Sequence, residues 1–180
     1  MRRWTLAGRR SLILSVVLHA LLLIVVYVFQ SMIFPYLRLY GMIPLLLPIV
    51  STGVAVYEGH NAGGVTGIFA GILCDISFNE PAGLFTVILT LMGLLIGILA
   101  DTVIARGFVT FFFCCVAALA VCAFAQMFPL LFYENVSQAP LLMTALWQTV
   151  YSLVFTVPLW FFTRALGKRA QRASPSGRPL

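Results

Sequence analysis

Long apolar runs separated by short polar segments make up most of this chain. A helix that crosses the hydrocarbon core of a bilayer needs about 20 predominantly apolar residues. By this measure the sequence predicts about six membrane-spanning helices. Their predicted limits are 11–34, 41–57, 63–76, 83–100, 107–128 and 141–166. The third run is the shortest, and its weak separation from its neighbours leaves five or seven crossings open.

The runs are apolar on all faces, whereas a membrane-spanning β-strand alternates apolar and polar residues. The pattern therefore predicts helices that pack as a bundle. Pro158 lies inside the last run, where it predicts a kink because proline cannot continue the hydrogen bonding of a helix. The predicted fold class is all-α, a polytopic membrane bundle.

Composition supports a lipid environment. Hydrophobic residues make up 62% of the 180 residues and charged residues only 9%, against about 45–50% and 25% in soluble domains. A chain with so little charge cannot cover a water-facing surface. We expect one transmembrane domain over 11–166, between a basic segment at 1–10 and a basic, disordered tail at 167–180.

The basic residues predict the orientation of the bundle. Cytoplasmic segments of membrane proteins are enriched in Lys and Arg. If the amino terminus is cytoplasmic and six spans follow, Arg38 alone among the eleven Lys and Arg residues falls on the outer side. Both termini are therefore predicted to be cytoplasmic. The net charge of +6 follows from this bias and indicates contact with anionic lipid headgroups, not with nucleic acid.

Small residues recur at helical spacing in the third run. Gly63, Gly67, Gly71 and Asp75 are each four residues apart. Four residues advance about 400° around a helix, so these positions share one face. A face of glycines lets a second backbone approach closely, as small-xxx-small motifs do in membranes. We expect the Gly67 and Gly71 face to pack against another helix.

The fourth run repeats this pattern. Residues 66–75 read TGIFAGILCD and residues 92–101 read MGLLIGILAD, with an offset of 26 positions. Gly93, Gly97 and Asp101 thus correspond to the second and third glycines and the aspartate of the third run. Because consecutive spans run in opposite directions, the repeat predicts two antiparallel helices with glycine faces.

The two aspartates differ in their predicted surroundings. Asp101 ends its run near Arg106 and is predicted to lie in the cytoplasmic interface. Asp75 lies deeper, where a carboxylate costs roughly 2.5–3.5 kcal/mol on insertion scales. Three interpretations of Asp75 remain open: a cap for the following turn, a packing or partner contact, and a proton relay.

Other polar residues in the runs predict interhelical hydrogen bonds. They are His19, Gln30, Gln126, Thr144 and Gln148. Glu58 and His60 alone do not define a metal site, and the four cysteines lie in apolar runs as packing residues. The sequence has no G-x-S-x-G, H-E-x-x-H or Walker A motif. We therefore predict no enzymatic activity, no cofactor and no metal.

Several motifs together resemble the bacterial rod shape-determining protein MreD family. They are Gly41-Met42-Ile43-Pro44-Leu45-Leu46, the glycine series at 63–76, Gly83-Leu84-Phe85, and a final run with Pro158 before a basic tail. The resemblance covers roughly 11–170 and is strongest over 67–84. In many relatives an acidic or amide residue follows the proline at position 44, whereas this chain has Leu45.

The resemblance implies a multi-pass subunit of the bacterial plasma (inner) membrane that belongs to the cell-elongation machinery. It would bind an MreC-like protein, work with the MreB cytoskeleton, and lie near RodA and a class B penicillin-binding transpeptidase. Its role would be scaffolding and regulation of cell shape and lateral peptidoglycan synthesis. The candidate packing or partner-contact residues are Pro44, Gly63, Gly67, Gly71, Asp75, Gly83, Gly93, Gly97 and Asp101.

An alternative function is the substrate-binding subunit of an energy-coupling-factor vitamin transporter. Such proteins have a similar length and outline of about six helices. The predicted outer loop at 128–140 offers polar groups for a vitamin, among them Tyr133, Glu134, Asn135 and Gln138. A channel is a weaker alternative, because the sequence has no repeated polar stripe to line a pore.

Overall fold

The computed structural model describes residues 6–33, 36, 43–78, 83–102, 107–127 and 138–173. Within these ranges every regular element is an α-helix. The helices are α1 (Leu6–Ile33), α2 (Leu47–Glu58), α3 (His60–Phe78), α4 (Leu84–Thr102), α5 (Phe108–Met127), α6 (Gln138–Val154) and α7 (Thr156–Ala173). The described part of the chain is thus all-helical, as the sequence predicts.

The second predicted span is only partly helical. Helix α2 begins at Leu47 and has 12 residues, which corresponds to about 18 Å and is shorter than the hydrocarbon core. The preceding segment, 43–46, has no regular structure. Pro48 at the start of α2 suits the first helical turn, where its missing N–H is not needed.

The last predicted span is broken into α6 and α7. The two helices are bent by 49° around Phe155. Pro158 explains the break, because it has no N–H to donate to the carbonyl of Val154 and its ring crowds that carbonyl. The N–H of Phe155 instead bonds the carbonyl of Ser152 at 3.1 Å, in a tighter turn.

Helix α2 lies at the centre of the bundle. All of its residues from Leu47 to Val56 are buried, and α3, α4, α5 and α7 pack around it. Phe85, Phe111, Leu23, Leu89 and Leu119 are among the largest fully buried side chains. A short helix that is buried on every side supplies the core against which the longer helices pack.

Contacts along α2 define the direction of its neighbours. Helix α1 is antiparallel to α2, because Gln30 contacts Leu46 whereas the earlier His19 contacts Glu58. Helix α6 runs in the same direction as α2, because Gln148 contacts Ile43 and the later Ser152 contacts Leu45. Helix α7 packs against the second half of α2, where Gly53 faces Thr163 and the hydroxyl of Tyr57 accepts a hydrogen bond from Trp160.

The outward surfaces of the helices are apolar, whereas the interior contains polar side chains. Leu21, Ile68, Leu95, Phe113 and Phe161 are each more than 40% exposed, while Gln30, Gln148 and Ser152 are each at most 5% exposed. Among the described residues, Leu84–Thr102 and Phe108–Gln126 are long and apolar enough to cross a membrane, and the bent α6–α7 pair gives a third candidate. The chain therefore has the character of a membrane protein.

The first and last helices extend into the predicted terminal segments. Helix α1 begins at Leu6, inside the predicted basic segment at 1–10, and α7 continues to Ala173. The first residues of the tail predicted to be disordered at 167–180 are therefore helical. Residues 1–5 and 174–180 lie outside the described part of the chain.

Candidate functional site

The candidate residues of α3 and α4 lie along one helix–helix contact. A Cβ added to Gly67 would lie 2.5 Å from the carbonyl oxygen of Leu89, and one added to Gly63 would lie 2.6 Å from that of Gly93. These distances are far shorter than a van der Waals contact, so only glycine fits. The two helices therefore meet backbone to backbone through their glycine faces.

The same contact continues towards both ends of the pair. A Cβ on Gly71 would clash with the backbone of Thr86, and one on Gly97 would clash with the backbone of His60. The offset of 26 positions relates these two contacts, because it converts Gly71 into Gly97 and His60 into Thr86. The sequence repeat thus corresponds to an approximate two-fold symmetry of the α3–α4 pair.

Asp75 caps the first turn of α4. Its carboxylate accepts the backbone N–H of Phe85 at 2.9 Å, the N–H of Thr86 at 3.2 Å and the hydroxyl of Thr86 at 2.6 Å. Phe85 and Thr86 are the second and third helical residues, whose N–H groups have no partner within the helix. Gly83 precedes the helix with a φ of +99°, a conformation that favours glycine.

Asp101 does the same for the start of α3. It accepts the backbone N–H of His60 at 3.3 Å and approaches Nδ1 of the His60 ring at 3.1 Å. Gly59 joins α2 to α3 with a φ of +92°, and a Cβ there would lie 2.8 Å from Oδ2 of Asp101. Arg106, the predicted neighbour of Asp101, lies outside the described residues.

Each helix of the pair therefore caps the other with its terminal aspartate. The negative charge of a carboxylate is also favourable at the positive end of a helix dipole. Of the three interpretations of Asp75, its contacts are those of a cap. A carboxylate with three hydrogen bonds avoids much of the penalty for an unsatisfied charge in a low-dielectric medium.

The non-helical segment before α2 depends on side chains from α1 and α6. The N–H of Leu45 donates to the hydroxyl of Ser152 at 2.9 Å, and the N–H of Leu46 donates to Oε1 of Gln30 at 3.0 Å. Nε2 of Gln148 donates to the carbonyl of Ile43 at 3.0 Å. Unwound backbone is tolerated inside a membrane protein only where such partners are present. Pro44 is buried in this segment.

A second polar pair joins α1 to the end of α2. Nε2 of His19 lies 3.0 Å from Oε1 of Glu58, and the two side chains are only 5% and 10% exposed. Sequence reasoning treated these residues separately and missed the pair. It also missed Gly59, Thr86 and Ser152. Gly59 had a detectable signal, because it lies in a polar interruption between two apolar runs.

Gln126, Glu58 and His60 are three other polar residues noted in the sequence. Nε2 of Gln126 is buried and has no hydrogen-bond partner among the described residues. Glu58 and His60 have different partners, since Glu58 contacts His19 and His60 contacts Asp101. Within the described ranges no group of three or more His, Cys, Asp or Glu side chains could hold a metal ion.

The chain was compared with protein-family models, curated proteins and solved structures, and none of them matches it.

Proposed function

We propose that this protein is a non-catalytic scaffold subunit of the cell-elongation machinery in the bacterial plasma membrane, with the role of an MreD family member. The use of its interior polar groups is the main observation in favour. Asp75 and Asp101 cap helices, while Gln30, Gln148 and Ser152 satisfy unwound backbone. These polar groups stabilise the helix ends and the unwound segment of the bundle. A bundle stabilised in this way suits a protein whose role is to bind other proteins.

The helix directions support a topology with six crossings. The 43–46 segment and α2 together form one crossing, and the bent α6–α7 pair forms another. The start of α1 and the end of α7 then lie on the same side of the membrane. The basic residues near both termini make that side cytoplasmic.

The rigid α3–α4 pair supports a scaffolding role. Its backbones are in direct contact, and both of its helix starts are capped from within the pair. Such a unit loses little conformational entropy when a partner binds its outer face. By resemblance, the partners are an MreC-like protein, the MreB cytoskeleton, RodA and a class B penicillin-binding transpeptidase.

Co-purification tests this function. The full chain carries an affinity tag and is co-expressed with the MreC-like and RodA-like chains of its own source organism, then purified in mild detergent. We expect both partners to be retained at a constant ratio. A matched control is an unrelated six-span protein with the same tag.

Two results would count against the proposal. One is that neither partner is retained although the chain itself is intact and monodisperse. The other is nanomolar binding of riboflavin, biotin or thiamine to the purified chain, which would favour the vitamin-transporter alternative. Adjacent coding regions for MreB-like and MreC-like chains would support the proposal independently.

A further inference from the structure

An aromatic cluster joins α7 to α2 and α5. Nε1 of Trp160 donates to the hydroxyl of Tyr57 at 2.5 Å, and the ring of Phe108 packs edge-on against Trp160 with centroids 5.1 Å apart. Tyr57 is next to the last residue of α2, and Phe108 is the first residue of α5. These contacts fix the indole of Trp160 near the end of the bundle where α2 ends and α5 begins.

The fixed indole holds a basic side chain. The guanidinium carbon of Arg164 lies 4.8 Å from the centroid of the Trp160 ring, which is a cation–π distance. Arg164 is exposed. A guanidinium that stacks through its face can still donate from the N–H groups along its edge, and this fork of donors matches two oxygens of a phosphate group.

Basic residues continue along the same line of α7. Arg164, Lys168 and Arg172 follow Trp160 at steps of four residues, within a helix that extends to Ala173. Positions four apart lie on one side of a helix, and Arg164 to Arg172 cover about 12 Å along the axis. The sequence therefore places three basic residues in helical register along the end of α7. We call Arg164, Lys168 and Arg172, together with the Trp160 ring, the basic edge.

An apolar side chain lies directly beside this edge. The ring of Phe161 packs edge-on against that of Trp160, with centroids 4.8 Å apart, and Phe161 is 62% exposed. An acidic protein in water would match the charges of the basic edge and leave this ring exposed. A phospholipid matches both features, because its phosphate lies above its acyl chains. Tryptophan and basic side chains also concentrate at the membrane interface in general.

We infer that the basic edge of α7 is a binding surface for the phosphate headgroups of anionic phospholipids. The inference rests on the proposed placement of the bundle in a bilayer, and it does not depend on the protein partners. Arg164 contacts the headgroup phosphate, Trp160 positions Arg164, and Lys168 and Arg172 add electrostatic attraction. Each basic residue near an anionic surface contributes about 1 kcal/mol, which corresponds to a roughly fivefold change in affinity.

Lipid retention measures this binding. The full chain is purified in mixed micelles that contain equal amounts of phosphatidylglycerol and phosphatidylcholine, and the retained lipids are quantified by mass spectrometry. We expect a several-fold preference for phosphatidylglycerol that weakens as salt is raised. Equal retention of the two lipids would overturn the inference.

Four variants separate charge from position. Arg164→Gln should lower phosphatidylglycerol retention about fivefold, and Lys168→Gln/Arg172→Gln should lower it further. Trp160→Leu keeps every charge but removes the stacking surface, so it should lower retention and leave phosphatidylcholine unaffected. Arg38→Gln removes one charge that the sequence assigns to the opposite side, and it should change nothing. Equal losses in Arg38→Gln and Arg164→Gln would contradict a specific surface.

Two further outcomes distinguish other occupants. Displacement of phosphatidylglycerol by millimolar inorganic phosphate would assign the surface to a free phosphate instead of a lipid. Unchanged lipid retention combined with loss of the co-purified partner chains in Lys168→Gln/Arg172→Gln would assign it to a protein. A chain that retains phosphatidylglycerol but no partners would contradict the proposed function alone.

Discussion

Asp75 of α3 accepts the backbone N–H of Phe85 in α4 at 2.9 Å, so a side chain from one helix caps the start of the next. Capping residues usually directly precede their own helix. Here that position is Gly83, which has no side chain to offer. The carboxylate reaches α4 only because the glycine faces hold the two helices in contact, and thus packing and capping stabilise the same pair.

Removal of this cap should destabilise the bundle. Asp75→Ala leaves the N–H groups of Phe85 and Thr86 without their partner, and we expect a loss of about 1–2 kcal/mol in unfolding free energy. Asp75→Asn keeps an oxygen acceptor and should lose less. The measurement is unfolding of the purified protein in mixed micelles. Ser77→Ala, two residues further on and exposed, is the control. An Asp75→Ala variant as stable as Ser77→Ala would contradict the cap.

The glycine contact predicts a difference between two positions of α3. A Cβ on Gly71 would meet the backbone of Thr86, whereas one on Gly64 would meet the side chain of Leu94, at 2.7 Å from Cδ2 and 3.2 Å from Cγ. Backbone cannot yield but a leucine terminus can rotate. Gly71→Ala should therefore lower unfolding free energy by about 1–3 kcal/mol, and Gly64→Ala should lower it much less.

The repeat relates Gly71 to Gly97, which provides an internal check. Because a Cβ on Gly97 would clash with the backbone of His60, Gly97→Ala should behave like Gly71→Ala under the same conditions. Equal stabilities for Gly64→Ala, Gly71→Ala and Gly97→Ala would show that backbone contact does not limit the packing of α3 and α4.

The sequence predicts much of this pair because its determinants are local and periodic. Glycines four residues apart define a face without knowledge of the rest of the fold, and the second copy in α4 identifies a matching face. The roles of His60 and Thr86 are not predictable in the same way. Their contacts with Asp101 and Asp75 depend on how far one helix slides along the other, which no spacing within a single helix encodes.

The unwound start of the second span is not predictable from the sequence for a related reason. Hydropathy treats 41–57 as one continuous span, because an unwound apolar segment has the same composition as an apolar helix. Only the partners of its backbone distinguish the two. Those partners, Gln30 and Ser152, lie on α1 and α6, far away in sequence.

Gln30 should therefore contribute more to stability than an ordinary buried amide. Gln30→Leu leaves the buried N–H of Leu46 without its acceptor, and we expect a loss of about 1–2 kcal/mol in unfolding free energy. Hydrogen exchange of the Leu46 amide should accelerate in the same variant. Ser31→Ala alters an exposed neighbour and is the control. Unchanged exchange at Leu46 would indicate that Gln30 does not hold the unwound segment.

His19 and Glu58 should show strong coupling, because both side chains are buried and their nearest atoms are 3.0 Å apart. Removal of one partner from this buried pair takes a close polar contact from the other, at a cost of about 1–3 kcal/mol. Replacement of both by apolar residues of similar size removes that penalty. We therefore expect His19→Leu/Glu58→Leu to be more stable than the sum of the two single changes predicts, by at least about 1 kcal/mol.

The His60 and Asp101 pair is the comparison for this cycle. Its side chains are 45% and 18% exposed, so water replaces part of whatever contact is lost. His60→Gln should lower the unfolding free energy by at most about 1 kcal/mol, because the backbone N–H at position 60 still donates to Asp101.

Additive effects at His19 and Glu58 would mean that their proximity contributes no free energy. The link between α1 and the end of α2 would then depend on apolar packing alone.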